Sequence, residues 1–316
     1  MAARTRYAPD RGLTARMTAT MFLLGLVFVA FVAAIVGIGA AAHASDAAIV
    51  FFAVVLGGGV AIASLFYSDK IALATAGARE VTPQQAPELH GVVDRLCALA
   101  DMPKPRVAIA DTDMPNAFAT GRNANHAVLC VTTGLLRRLD RDELEGVISH
   151  EMSHVAHRDV QVMTVASLLA IIAAVLMRVA FYSELFGGGR RSNNNQNAAL
   201  VMLAVMAVSI IVYAISFLLI RLLSRYRELA ADRSGALLTG QPSALKSALI
   251  KVSGDIARIP TRDLRAAEPL NAFFFAPAVS LRGGPSLSTI FSTHPSLERR
   301  LAELDKVQRQ LGQVAR

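Results

Sequence analysis

Residues 140–177, DRDELEGVISHEMSHVAHRDVQVMTVASLLAIIAAVLM, hold two kinds of helix end to end. The first half is charged and polar, whereas Val160–Met177 runs 18 residues without a charge. Asp140 followed three residues later by Glu143 has the form of a capping box, which predicts a helix from there through His157. On that helix His150-Glu151-Met152-Ser153-His154 is an HExxH pattern. Two imidazoles four residues apart stand one turn apart on one face, so both can reach one metal ion. Glu151, beside the first of them, is placed to take a proton from a metal-bound water as general base. Water suits the polar half; the apolar half approaches the ~20 residues that a membrane-spanning helix needs. The fold must therefore join an aqueous metal-site domain directly to a bilayer.

The rest of the chain supports that division. Met17–Ala42 has 26 uncharged residues, Ala47–Ser68 has 22 and Ala198–Ile220 has 23. With the run after the HExxH helix these predict four spans in two hairpins, at about 17–42, 47–68, 160–182 and 198–220. The link at 43–46 is read as a tight turn, and the Gly- and Asn-rich stretch 187–197 as a flexible connector. The first apolar run is far longer than the ~7–15 residues of a cleaved signal, so it is read as a retained span. Across 316 residues, 53% are apolar and only 18% charged, with a mean hydropathy of +0.44. Such a composition excludes a disordered chain and argues against a wholly soluble one.

The net charge of +8 sits mostly at the span ends. Arg4, Arg6, Arg11 and Arg16 precede the first span, Lys70 and Arg79 follow the second, Arg158 precedes the third, and Arg221, Arg225 and Arg227 follow the fourth. On the other side only Arg190 and Arg191 occur. The positive-inside bias places both termini, residues 69–159 and residues 221–316 in the cytoplasm. No basic stripe interleaved with aromatics occurs, so nucleic acid is not an expected partner. Cys97 and Cys130 form no CxxC pair and are expected as reduced thiols in or near a core.

Between the hairpins the pattern is α+β: a helix over 83–101, then strands at 106–110, 116–120 and 127–132. A zinc site needs a third protein ligand. The spacing of a third histidine six residues after His154 fails, since Val160 stands there. His157 lies about 10.5 Å along the helix axis from His150, too far to share a tetrahedral site. It is expected as a neighbour or a surface residue. After the fourth span, Glu228 and Asp232 share a helix face, and the second hairpin returns the chain to the side of the HExxH helix. One of the two can ligate while the other accepts a hydrogen bond from a ligating imidazole. His43, His90 and His126 are expected at surfaces.

Four segments together resemble the HtpX family of membrane zinc metalloproteases, relatives of the CAAX prenyl endopeptidases. They are HEMSHVAHRD (150–159), SRYRELAAD (224–232), PNAFATG (115–121) and FSTHPSLERR (291–300). Their order around the spans extends the resemblance over essentially the whole chain. The resemblance implies an α-helical membrane protein with four transmembrane helices and a cytoplasmic α+β, gluzincin-like protease domain. One Zn²⁺ per subunit would be held by His150, His154 and Glu228, with Glu151 as base and Asp232 bonded to a ligand imidazole. It further implies that Asn116, Ala117 and Phe118 lie on an edge strand where substrate pairs in extended form, and that His294 orients substrate or stabilises the oxyanion. The implied activity is cleavage of misfolded or damaged membrane proteins at the cytoplasmic face of the inner membrane.

Two other readings are weighed beside this one. A non-catalytic membrane adaptor or chaperone would not need Glu151 together with all three presumed ligands. An intramembrane zinc protease would bury HExxH within a span, yet Arg141, Asp142, Glu143, Glu145, Arg158 and Asp159 flank it here.

Overall fold

The computed structural model describes residues 11–41, 47–187, 195–258 and 294–314. Two long helices open the chain, α1 (Arg11–Ala41) and α2 (Ala47–Ala76). There follow β1 (Ala78–Glu80), α3 (Pro87–Ala100), β2 (Arg106–Ala110), β3 (Ala117–Thr120), β4 (Val128–Thr132), α4 (Thr133–Arg138) and α5 (Arg141–Ala156). The long α6 (Asp159–Gly187) and α7 (Asn195–Thr239) precede α8 (Pro242–Arg258) and α9 (Leu297–Val314).

Among the described residues, three helices are long and apolar enough to cross a membrane: Arg11–Ile38, Asp159–Tyr182 and Leu200–Thr239. The expected span at 47–68 falls in α2, many of whose side chains lie outside the described residues, as does the 43–46 link. The connector expected over 187–197 is shorter at both ends, because Gly187 still belongs to α6 and Asn195 already belongs to α7. Its remainder lies outside the described residues. The helix does not stop with the apolar run at Ile220. The stretch from Arg221 to Thr239 has no proline, and its one glycine, Gly235, stays helical, so α7 continues for 45 residues. That is about 68 Å at 1.5 Å per residue. It stops at Gly240, whose φ of +69° suits a glycine, and Pro242 opens α8 as its first residue.

The fold divides into two packing units. One contains Met17–Ser64 and Val162–Leu223, the apolar parts of α1, α2, α6 and α7. Phe31 and Ile35 of α1 pack there with Leu169, Ile172, Ala173 and Leu176 of α6 and Val205 and Val212 of α7. Phe22, Leu26, Val29, Val165, Leu203 and Ile211 are exposed. A bundle that hides its small interior and presents such side chains outward suits lipid rather than water.

The other unit contains Leu65–Gln161 and the described chain from Ser224 on. Its sheet has the order β1-β2-β4-β3, with β2 and β4 parallel and both outer pairs antiparallel. The side chains obey the period of two. Val107, Ala117, Leu129 and Val131 enter a core shared with α3, α5, α8 and α9, and Ala108, Ala110, Phe118, Val128 and Cys130 face the C-terminal part of α2. The short strand β1 and the six-residue helix α4 carry too few residues for a periodic signal, and the sequence reading lacks both. Both cysteines are buried and free, as expected, and burial raises the Cys130 thiol to about 12. His90 corrects an expectation: it is 6% exposed, and its Nε2 lies 3.0 Å from the Val81 carbonyl oxygen.

Candidate functional site

The site is built on α5. Asp140 accepts from the Glu143 N–H while Glu143 accepts from the Asp140 N–H, the capping box read from the sequence. Glu143 is also held by Ser247 at 2.6 Å and Lys251 at 2.7 Å, which ties the helix start to α8. Further along, α7 crosses α5 with glycine at the contact. A Cβ on Gly235 would stand 2.9 Å from the His150 backbone nitrogen, and Ser149 Oγ donates to the Gly235 carbonyl at 3.2 Å. Only a residue without a side chain allows that approach. It brings Glu228, seven residues earlier on α7, to the imidazoles.

His150, His154 and Glu228 are the group of donor side chains that, among the described residues, can share one metal ion. His150 Nε2 and His154 Nε2 are 3.3 Å apart, His154 Nε2 lies 3.4 Å from Glu228 Oε1, and His150 Nε2 lies 3.7 Å from Glu228 Oε2. Ligands at ~2.0–2.1 Å in a tetrahedron are separated by about 3.3–3.4 Å, so the three donors outline one face of a zinc site. Their far sides are fixed too. His150 Nδ1 lies 2.9 Å from Asp232 Oδ1, and Arg300 grips Asp232 with two bonds of 2.6 and 2.7 Å. His154 Nδ1 donates to Asp159 Oδ2 at 2.5 Å, and Arg227 reaches the same oxygen at 2.7 Å. His294 Nδ1 lies 3.0 Å from Glu228 Oε2.

Glu151 follows His150 on this helix, and its Oε2 accepts the Ala119 N–H at 3.1 Å. Ala119 belongs to β3, an edge strand of the sheet. Thr132 N donates to the Asn116 carbonyl, and Asn116 N donates to Thr132 Oγ1 at 2.9 Å. That pairing sets the alternation: Phe118 and Thr120 turn their backbone groups toward β4, and Ala117 and Ala119 turn theirs to the open edge. Of the three expected contacts, Phe118 directs its side chain to the sheet face opposite α5.

The model of peptidase family M48 matches residues 83–308. The chain belongs to peptidase family M48. It is 57% identical over 311 residues to the protease HtpX homolog 1 of Streptomyces coelicolor, covering 98% of both chains. It is 51% identical over 309 residues to the protease HtpX homolog of Moorella thermoacetica, again covering 98% of each. The match to the Pyrococcus furiosus homolog is 40% over 289 residues, 91% of this chain and 96% of that one. A crystal structure of S. mikatae Ste24p shares the fold, with a TM-score of 0.53 at 16% identity over 94% of this chain and 67% of that one. As an HtpX-type member of M48 the chain is a membrane metalloendopeptidase, a hydrolase acting on protein.

The electrostatics of this M48 site fit a divalent cation. Glu151, Glu228, Asp159 and Asp232 are all at most 8% exposed. Arg300 and Arg227 are the guanidiniums placed against them, so two negative charges stay uncompensated while the imidazoles are neutral. Burial alone would lower the His154 pKa, but Asp159 and Glu228 outweigh it and raise the imidazole to about 10. Asp232 moves His150 in the same direction against its own burial. Two protons or one dication can therefore balance the cluster. Burial also raises the Glu151 carboxyl, making it a stronger base than an exposed glutamate.

His157 takes no place in the donor group. It caps α5, Ser153 Oγ lies 3.1 Å from its Nδ1, and burial lowers its pKa. Asp159, Arg227 and Arg300 are the residues that sequence reasoning passed over, although all three lie within the segments that carried the resemblance. No helical spacing relates them to the imidazoles they serve.

Proposed function

We propose that this M48 chain is a zinc endopeptidase of the inner membrane, with His150, His154 and Glu228 as metal ligands and Glu151 as the general base. The observation that carries the reading is the near-tetrahedral spacing of the three donors, 3.3–3.7 Å, with both imidazole Nδ1 atoms engaged by carboxylates. A Zn²⁺ held there would polarise the scissile carbonyl and lower the pKa of a bound water toward ~7. Glu151 takes the proton of the attacking water and delivers it to the departing amine nitrogen. Its raised pKa suits both halves of that transfer. Asp232, held by Arg300, keeps His150 presenting Nε2, and His294 steadies Glu228.

Extended substrate adds to the open edge of β3, where the Ala117 backbone and the Ala119 carbonyl face outward beside Glu151. Substrates are misfolded or damaged membrane proteins, met at the cytoplasmic face. Four spans in two hairpins carry the domain, with α2 the fourth beside the three apolar helices. The arginine and lysine bias at the span ends supports cytoplasmic placement of 69–159 and 221–316. The packing units divide near the same points, at Ser64, Gln161 and Leu223.

The test pairs zinc quantification with cleavage of an unfolded reporter such as casein in detergent. Glu151→Gln is expected to keep stoichiometric zinc and lose cleavage; undiminished cleavage removes Glu151 from the role of base. A protease-mapped tag at Gly240 found on the outside would overturn the orientation.

A further inference from the structure

We infer that Asp159 and Arg227 form a positioning pair that holds His154 for the metal, a role that deepens the zinc reading above and rests on it. The backbone creates the opportunity. Helix α5 ends at Ala156, His157 caps it, and Arg158 adopts a left-handed φ of +55° before α6 begins at Asp159. This abrupt corner folds Asp159 back over the last turn of α5, where its Oδ2 accepts a hydrogen bond from His154 Nδ1 at 2.5 Å. A neutral imidazole that donates from Nδ1, the form a metal requires, must present Nε2 as the free lone pair, the atom that faces His150 and Glu228.

The manner in which Arg227 meets Asp159 separates positioning from plain ion pairing. An arginine and a carboxylate left to each other settle into a two-pronged fork, as Arg300 and Asp232 do. Arg227 instead shares the one oxygen already bonded to His154, at 2.7 Å. Asp159 Oδ1 and Arg227 Nε, both buried, have no hydrogen-bond partner among the described residues. The carboxylate is thus turned toward the imidazole and away from its best pairing with the guanidinium. Arg227 is also the neighbour of Glu228 on α7, so one residue step joins the clamp on His154 to the third donor. Each imidazole has a carboxylate and an arginine behind it, His150–Asp232–Arg300 and His154–Asp159–Arg227, with the two arginines meeting their carboxylates differently.

The test uses the full chain in detergent micelles, with zinc affinity measured against a chromogenic chelator and the absorption bands of the Co²⁺-loaded protein as a second readout. Asp159→Asn is expected to weaken zinc by about 10–100-fold and to shift the Co²⁺ bands. Arg227→Gln should weaken it in the same direction, Arg227→Lys should restore part of the loss, and the double variant Asp159→Asn with Arg227→Gln should lose less than the two effects combined. Should Asp159→Asn not fold, the Gln and Lys variants at Arg227 decide alone. Affinity and bands unchanged from wild type, even with a lowered Tm, would make the pair structural and overturn the inference. A wild-type chain that binds no zinc, or Glu228→Ala with zinc still stoichiometric and tight, would instead overturn the metal reading and the inference with it.

Discussion

Gly235 of α7 lies so close to His150 of α5 that a Cβ would stand 2.9 Å from the His150 nitrogen and 3.2 Å from its Cα. The helix carrying one donor and the helix carrying two others touch at this glycine. Gly235→Ala gains up to about 1 kcal/mol of helix propensity, but the added methyl meets backbone that has no rotamer to yield. The expected net result is a lower Tm in detergent and weaker zinc binding, with Gly235→Val worse on both counts. An alanine variant with wild-type zinc affinity would show that the helices can part without moving Glu228.

Arg300 is 1% exposed and grips Asp232, which is fully buried. Replacing one partner of such a pair strands a buried charge, at a cost of about 3–5 kcal/mol. Arg300→Met should therefore lower stability sharply, and Arg300→Lys should rescue little, because an ammonium cannot reproduce the fork. Thermal unfolding of the metal-free and zinc-loaded forms separates the effect on the fold from that on the site. Equal Tm values for wild type and Arg300→Met would contradict it.

Zinc binding is expected to expel protons. The His154 imidazole, raised to about 10, holds a proton at neutral pH that a metal must displace, and His150 is raised in the same direction. Zinc affinity should fall as pH falls, and zinc added to a weakly buffered sample should release protons. In the metal-free protein the sign reverses. Stability from these raised groups is complete below the unfolded histidine value near ~6.5 and is lost as pH climbs through the folded values. Titration of the released protons and paired Tm–pH profiles check both halves.

Glu143 responds to acid. Burial pushes its carboxyl up, but Lys251, Ser247 and the Asp140 N–H more than offset this and leave it below the usual glutamate range. Its contribution is complete above the unfolded value of about 4.3 and is lost as pH falls through the lower folded one. Glu143→Gln should cost about 1–3 kcal/mol at neutral pH and flatten the acid limb of the Tm–pH profile. An acid limb identical to wild type would assign that loss to other groups.

Much of this chain is local in origin and was legible for that reason. The capping box at Asp140 and Glu143, the shared face of His150 and His154, and the apolar runs all follow from spacings of three to seven residues or from composition. The apolar run ends at Ile220 but α7 does not, because the end of such a run is a change of solvent, not of helix propensity. His90 looked solitary because its partner, the Val81 carbonyl, is a backbone group that no side-chain pattern announces.

From the sequence alone came the metal helix, the apolar helices beside it and two carboxylates, Glu228 and Asp232, with their roles open. The tertiary structure divided those roles: Glu228 faces both Nε2 atoms, and Asp232 lies on the far side of His150. It alone brought in Arg300, 68 residues from Asp232, and set Asp159 and Arg227 behind His154. Helical periodicity says which side chains share a face but not what that face meets. Here the meeting depends on a backbone approach permitted at Gly235 and a left-handed corner at Arg158, two features that act only once distant segments are packed.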